Sequence, residues 1–173
     1  MKSSNIFLRQ DGKNYYAGIL PPIVDVPHYD MLKYTPAEVK FPVKGHIYLM
    51  RTGEYLGYTD TCKVNLRSGD PVVFSILPNK IKGIDVKAPK TVKAGEVCNI
   101  RFSALGGEGP HVVHVEVRRP DGSLPFTYWW NSYASQGEHE FQFAANDVPG
   151  DWKLVVRDID TGMTVTKTVK LEK

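Results

Sequence analysis

Glycine and proline interrupt this chain so often that no long helix fits between them. Fifteen glycines and twelve prolines are spread over 173 residues. They separate short apolar runs at the spacing of about 8–12 residues that marks strands joined by turns. Val, Ile, Thr, Tyr and Phe dominate those runs, and their branched or flat side chains suit a pleated, half-buried surface. No stretch repeats apolar residues at i, i+3 and i+4 over useful helical length. The chain therefore reads as all-β.

The turn chemistry divides the first part into strands. Residues 6–9 run into Asp11-Gly12-Lys13-Asn14 and return through residues 15–20, a hairpin that Pro21-Pro22 ends. Residues 23–36 carry Pro27 and Pro36 and read as a long irregular loop, of the kind that is often anchored or functional. Strands follow at 39–43, 46–51 and 55–58, with Thr52-Gly53-Glu54 as a turn. Cys62, Val64 and Leu66 alternate with Lys63 and Asn65, so that strand has one apolar face. Residues 72–77 are almost continuously apolar, which fits a central strand.

The pattern restarts near Lys82, and about seven strands follow. That is the count of an immunoglobulin-like sandwich. The expected architecture is two tandem antiparallel β-sandwich domains, residues 1–82 and 83–173, the second immunoglobulin-like. No Gly/Ser-rich or Pro-rich spacer separates them, so the two should abut.

Composition removes several classes of function. With 42% hydrophobic and 24% charged residues the chain should fold rather than stay disordered. No apolar run approaches the roughly 18 residues of a membrane span, and the first ten residues do not read as a signal peptide. Residues 1–82 hold 11 basic and 7 acidic side chains and residues 83–173 hold 11 and 12. Neither part interleaves a basic run with aromatics, so a nucleic-acid partner is not expected.

Few residues propose chemistry. Cys62 and Cys98 each share a strand face with apolar neighbours, so two buried thiols in separate cores are expected rather than a disulfide. His111 and His114 are three apart on a strand and should point to opposite sides, which is wrong for ligands of one metal. His114-Val115-Glu116 opens a deaminase-like pattern, but the matching Pro-Cys-x-x-Cys half is missing. His139 should point inward with Phe141 and Phe143. Asp147, Asp151, Asp158 and Asp160 cluster in sequence; a calcium site is one reading, and turn capping by Asp is the preferred one. No nucleophile elbow, P-loop or dinucleotide fingerprint occurs. No catalytic residue, cofactor or metal is expected.

Residues 126–133 are unusual. Phe126, Tyr128 and Trp130 should lie on one side of a strand, and Trp129 and Tyr133 on the other. One face of a sandwich strand is inward, so at least one large aromatic should reach the surface. Tyr128, Trp129, Trp130 and Tyr133 are therefore the candidates for a domain interface or for a platform that stacks sugar rings.

The tract Arg51-Thr52-Gly53-Glu54-Tyr55-Leu56-Gly57, followed by Phe74-Ser75-Ile76-Leu77-Pro78, resembles the C-terminal β-sandwich tails of large bacterial β-galactosidase-like glycoside hydrolases. Arg119-Pro120-Asp121-Gly122, Ala145-Asn146-Asp147 and Gly150-Asp151-Trp152 resemble the immunoglobulin-like modules that follow in such proteins, and macroglobulin-type domains as well. These motifs build turns and cores, so they speak to fold more than to activity. Catalysis in that family belongs to a separate barrel, which needs about 250 residues. The resemblance thus implies a non-catalytic structural or assembly module from the end of a longer, secreted or periplasmic carbohydrate-processing chain. Its partners would be neighbouring domains or a second copy. The alternative it leaves is a carbohydrate-binding module.

Overall fold

A computed structural model describes residues 5–22 and 33–173. Most of the loop expected at 23–36 lies outside the described residues. The described residues form strands and turns, with no helix, and therefore none long and apolar enough to cross a membrane. The chain divides into two compact units, Met1–Lys80 and Ile81–Lys173.

The first unit holds β1 (Asn5–Asp11), β2 (Asn14–Leu20), β3 (Thr35–Leu49), β4 (Glu54–Leu66) and β5 (Val72–Leu77), in the sheet order β1-β2-β5-β3-β4. Asp11 pairs with Asn14, which leaves the two-residue turn Gly12-Lys13. Gly12 takes φ +58°, the left-handed conformation that a tight hairpin needs at its first central residue. The apolar run of β5 lies between β2 and β3, as its composition implies.

The strands expected at 39–43 and 46–51 are one strand, β3, and those at 55–58 and 62–66 are one strand, β4. Thr35 and Pro36, assigned to the loop from sequence, already pair with Leu66 and Asn65. Pro42 and Gly45 do not end β3, because the register shifts between Lys40 and Gly45 and a proline without an N–H is tolerated at such a bulge. Phe41 sits in this irregular stretch and packs edge-on against Phe74, with ring centroids 5.1 Å apart. Ala17, Ile19, Ile47, Cys62, Val64 and Ile76 complete the core around that pair.

The second unit has eight strands: β6 (Gly83–Lys87), β7 (Thr91–Lys93), β8 (Val97–Leu105), β9 (Val112–Arg118), β10 (Trp129–Tyr133), β11 (Gln136–Gln142), β12 (Gly150–Asp158) and β13 (Thr164–Glu172). They make a five-stranded sheet, β10-β9-β12-β13-β7, and a three-stranded sheet, β11-β8-β6. All pairings are antiparallel except that of β7 with β13. Strict alternation feeds the core between the sheets. Val113, Val115 and Val117 of β9 and Trp152, Leu154 and Val156 of β12 face Ile100 and Phe102 of β8 and Ile84 and Val86 of β6. Each such side chain contributes about 1.5–3 kcal/mol on burial.

Cys62 and Cys98 are free, buried, and belong to different cores. Burial pushes both thiols up to about 11, so neither carries appreciable thiolate near neutral pH.

Candidate functional site on the outer face of the five-stranded sheet

Side chains alternate along a strand, so the pairing register determines which ones meet on the outer face. Trp129 pairs with Glu116, which pairs with Val155, which pairs with Thr166. The next row on the same side is Asn131, His114, Arg157 and Thr164. Tyr133 pairs with Val112 beyond it. Trp129 is 46% exposed and Tyr133 62% exposed. The two rings stand four positions apart along β10, about 13–14 Å of backbone, with Asn131 between them.

Polar groups fill the space beside the rings. His114 Nδ1 lies 2.7 Å from Asn131 Oδ1, and its Nε2 lies 3.3 Å from Glu116 Oε1. The His114 ring tilts against Trp129 at 5.7 Å. Arg118 holds Glu116 from the other side, at 2.6 Å through Nη2 and 2.7 Å through Nε. Asn131, His114, Glu116, Arg118 and Arg157 border an open depression of about 670 Å³, and Trp129 stands beside it rather than in its lining. No ion pair or hydrogen bond engages the Arg157 side chain among the described residues, and its Nε is buried without an acceptor.

The four aromatic candidates divide between two environments. Trp129 and Tyr133 reach the outer surface. Trp130 and Tyr128 are half-buried and pack on the inner side. Trp130 stacks on His139 at 3.8 Å and lies parallel to Phe141 at 6.0 Å. Burial pushes the His139 pKa down. The Tyr128 hydroxyl donates to Asp147, and burial together with that bond raises its pKa. The expected strand at 126–133 is shorter than its aromatic run. The Tyr128 N–H donates to the Pro125 carbonyl at 3.0 Å, so 125–128 is a turn and β10 begins at Trp129. Phe126 consequently does not join Tyr128 and Trp130 on the inner face and is 91% exposed.

The four carboxylates grouped in sequence do not form one site: Asp147 and Asp151 stand apart, and Asp158 and Asp160 meet. Asp147 Oδ2 accepts the Ala144 N–H at 2.9 Å and caps its own turn. Asp151 points outward from β12. Asp158 and Asp160 turn inward and meet His111, whose Nδ1 lies 3.1 Å from Asp158 Oδ1 and 3.2 Å from Asp160 Oδ2. The Thr161 hydroxyl donates to the second oxygen of Asp158. Burial alone would lower the His111 pKa; bonds and charge from the two carboxylates outweigh it and raise it to about 9. At neutral pH this is a buried imidazolium held by two carboxylates. It ties the start of β9 to the β12–β13 turn, directly behind the outer face.

Gly107 fits over this cluster because it has no side chain: a Cβ there would lie 2.7 Å from His111 Nε2. Among the described residues these three side chains are the one group whose donor atoms are close enough, within 4.8 Å, to share a metal ion. Sequence reading missed the group because it compared His111 with His114. The usable signal was an inward histidine before one strand and Asp-x-Asp-Thr-Gly at the end of another.

The outer face of the three-stranded sheet is different. Its depression of about 400 Å³ is bordered by Asp85, Lys87, Arg101 and Glu138. Arg101 pairs with Glu138 at 3.0 Å and Lys87 with Asp85 at 3.9 Å. Its one lining aromatic, Phe102, is buried beneath Gly137, where a Cβ would sit 2.6 Å from the ring.

No family model and no curated protein sequence matches the chain. Solved structures show remote likenesses that include glycoside hydrolases. A superoxide reductase (neelaredoxin) from Ignicoccus hospitalis is 15% identical, covering 53% of this chain and 82% of its own, at a TM-score of 0.39. An FMN-binding β-glucuronidase from Faecalibacterium prausnitzii L2-6 is 10% identical over 91% of this chain, at a TM-score of 0.37. An isomalto-dextranase from Arthrobacter globiformis T6 is 10% identical over 96% of this chain, at a TM-score of 0.32. The match spans 32% of the length of each of these two hydrolases.

Proposed function

We propose that this chain is a non-catalytic accessory module of a carbohydrate-processing protein, and that its second unit binds carbohydrate on the outer face of the five-stranded sheet. One observation carries the reading: Trp129 and Tyr133 are exposed on the same face of β10, beside a row of hydrogen-bonding side chains. The apolar faces of sugar rings stack on aromatic rings, and their hydroxyls require donors and acceptors at the rim. Trp129 and Tyr133 supply the first; Asn131, His114 and Glu116 supply the second. Glu116, the carboxylate bordering the depression, is already held by Arg118, which supports binding over acid–base catalysis. The strand order, with β7 running parallel to β13 at the sheet edge, supports an immunoglobulin-like reading of this unit.

The test is tryptophan fluorescence and calorimetry of the whole chain against a panel of neutral and acidic oligosaccharides. Binding is expected to at least one class and should be lost in the Trp129→Ala, Tyr133→Ala double variant. No signal across the panel would sink the reading.

A second reading, assembly with a neighbouring domain or a second copy, is favoured by β1. This strand is a sheet edge, and it exposes Ile6 and Leu8 on one side, at 72% and 47%. Edge strands with apolar side chains invite pairing with another chain. Sedimentation of the wild type against an Ile6→Lys, Leu8→Lys variant separates an associating edge from an inert one.

A further inference from the structure

We infer that the carbohydrate held on this face is acidic, and that Arg157 receives its carboxylate. The inference rests on the carbohydrate reading above and narrows it to oligosaccharides that contain uronic acid.

Three cations share one face. Arg118, Lys153 and Arg157 lie on the outer side of β9 and β12, since Lys153 pairs with Arg118 and Arg157 with His114. The facing carboxylate among them is Glu116, and Arg118 takes it at 2.6 Å. Arg157 and Lys153 have no ion pair among the described residues. The two cations lie on opposite sides of Val155, about 14 Å apart along β12.

A guanidinium is costly to leave half-buried without an acceptor, because its lost hydration is not replaced. Arg157 is half-buried, and its Nε has no acceptor. It also stands in the same row as His114 and Asn131, next to the row that contains Trp129. A ring stacked on Trp129 thus has an unpaired guanidinium two strands away, in the neighbouring row.

The shape of the group selects the anion. A planar guanidinium offers paired N–H donors that match the two oxygens of a carboxylate. A uronate presents such a planar carboxylate on a ring that can still stack. A sulfate ester brings the same charge with tetrahedral oxygens, and is the competing source of an anion here. The outer face of the other sheet is the internal contrast: its cations are matched by Asp85 and Glu138, so nothing there requires an added anion.

The experiment compares three forms of one ligand on the whole chain: an oligogalacturonate, its fully methyl-esterified form, and a sulfated neutral oligosaccharide of similar length. Calorimetry at low and moderate salt gives the affinities. The acid is expected to bind about tenfold or more tightly than the ester, the scale of one charge-assisted hydrogen-bonded pair. That advantage, read as the ratio of acid to ester affinity within each protein, should shrink with salt and fall to about one in Arg157→Gln.

Arg157→Lys keeps the charge and loses the planar donors, so it should retain only part of the preference. It also serves if Arg157→Gln fails to fold, as judged by its melting transition. Equal binding of acid and ester overturns the inference and leaves the carbohydrate reading standing. Tighter binding of the sulfated ligand than of the uronate overturns the carboxylate assignment. No binding of any form, in a chain that melts normally, overturns both readings.

Discussion

The two faces of the five-stranded sheet are made by the same strands, yet they carry different burdens. On the inner face of β9 and β12, Val113, Val115, Trp152 and Val156 are fully buried and apolar. On the outer face, one residue along each time, His114, Glu116, Val155 and Arg157 form a mixed, partly charged surface next to Trp129. Even the aromatics obey this division. Trp130 is packed over His139 and Phe141, while its neighbour Trp129 faces outward. The inner face determines whether the unit folds, and on the proposed reading the outer face determines what it touches. Composition alone does not separate these jobs, because both faces are rich in large side chains.

Substitutions on the two faces should therefore move different observables. The largest effect on stability is expected for Trp152→Ala on the inner face. Deleting a fully buried indole costs about 3–5 kcal/mol, so the second unit should melt far below wild type and lose binding only because it unfolds. Binding that is lost while the melting temperature stays unchanged would contradict this assignment.

The buried imidazolium comes next. A histidine whose folded pKa is raised from 6.5 to about 9 stabilises the fold fully below pH 6.5. That contribution fades as pH rises and is gone above about 9. It is expected to be worth about 3 kcal/mol, read as a falling urea midpoint between pH 6 and pH 9.5. His111→Gln should be destabilised at pH 6 and nearly flat across the same range. A wild-type midpoint independent of pH would show that His111 is not charged in the fold.

Trp129→Ala with Tyr133→Ala should change stability by within about 1 kcal/mol, as surface substitutions do, and weaken carbohydrate binding more than tenfold. A large drop in melting temperature would instead place these rings in the structural half of the division. The smallest effect is expected for Arg101→Ala on the other sheet. Its exposed pair with Glu138 is worth about 0–1 kcal/mol, and glycan affinity should not move.

Much of this division was legible in the sequence. Alternation alone put Trp129 and Tyr133 on one side and Trp130 on the other. It also sent His111 and His114 to opposite faces, and kept Cys62 and Cys98 in separate cores. Longer-range geometry was not legible. That His114 meets Arg157 depends on the register between β9 and β12, and a single strand carries no record of its partner. The meeting of His111 with Asp158 and Asp160 spans 47 residues or more and depends on how β9 and β12 end side by side. The misplacement of Phe126 has a local cause: the alternation was extended one turn too far, through the bend closed by the Pro125 carbonyl. The bulge in β3 was hidden for the opposite reason. Pro42 and Gly45 look like a break, and only the pairing with β4 shows that the strand continues.

The state of the two native cysteines has a practical consequence for all of these tests. Thiol-directed reagents attack the thiolate, and both native sulfurs are protonated and shielded. A cysteine introduced at Thr164 would then be labelled selectively, without first removing Cys62 or Cys98. An environment-sensitive dye there would report arrival of the proposed ligand on the outer face of a protein whose two cores remain untouched.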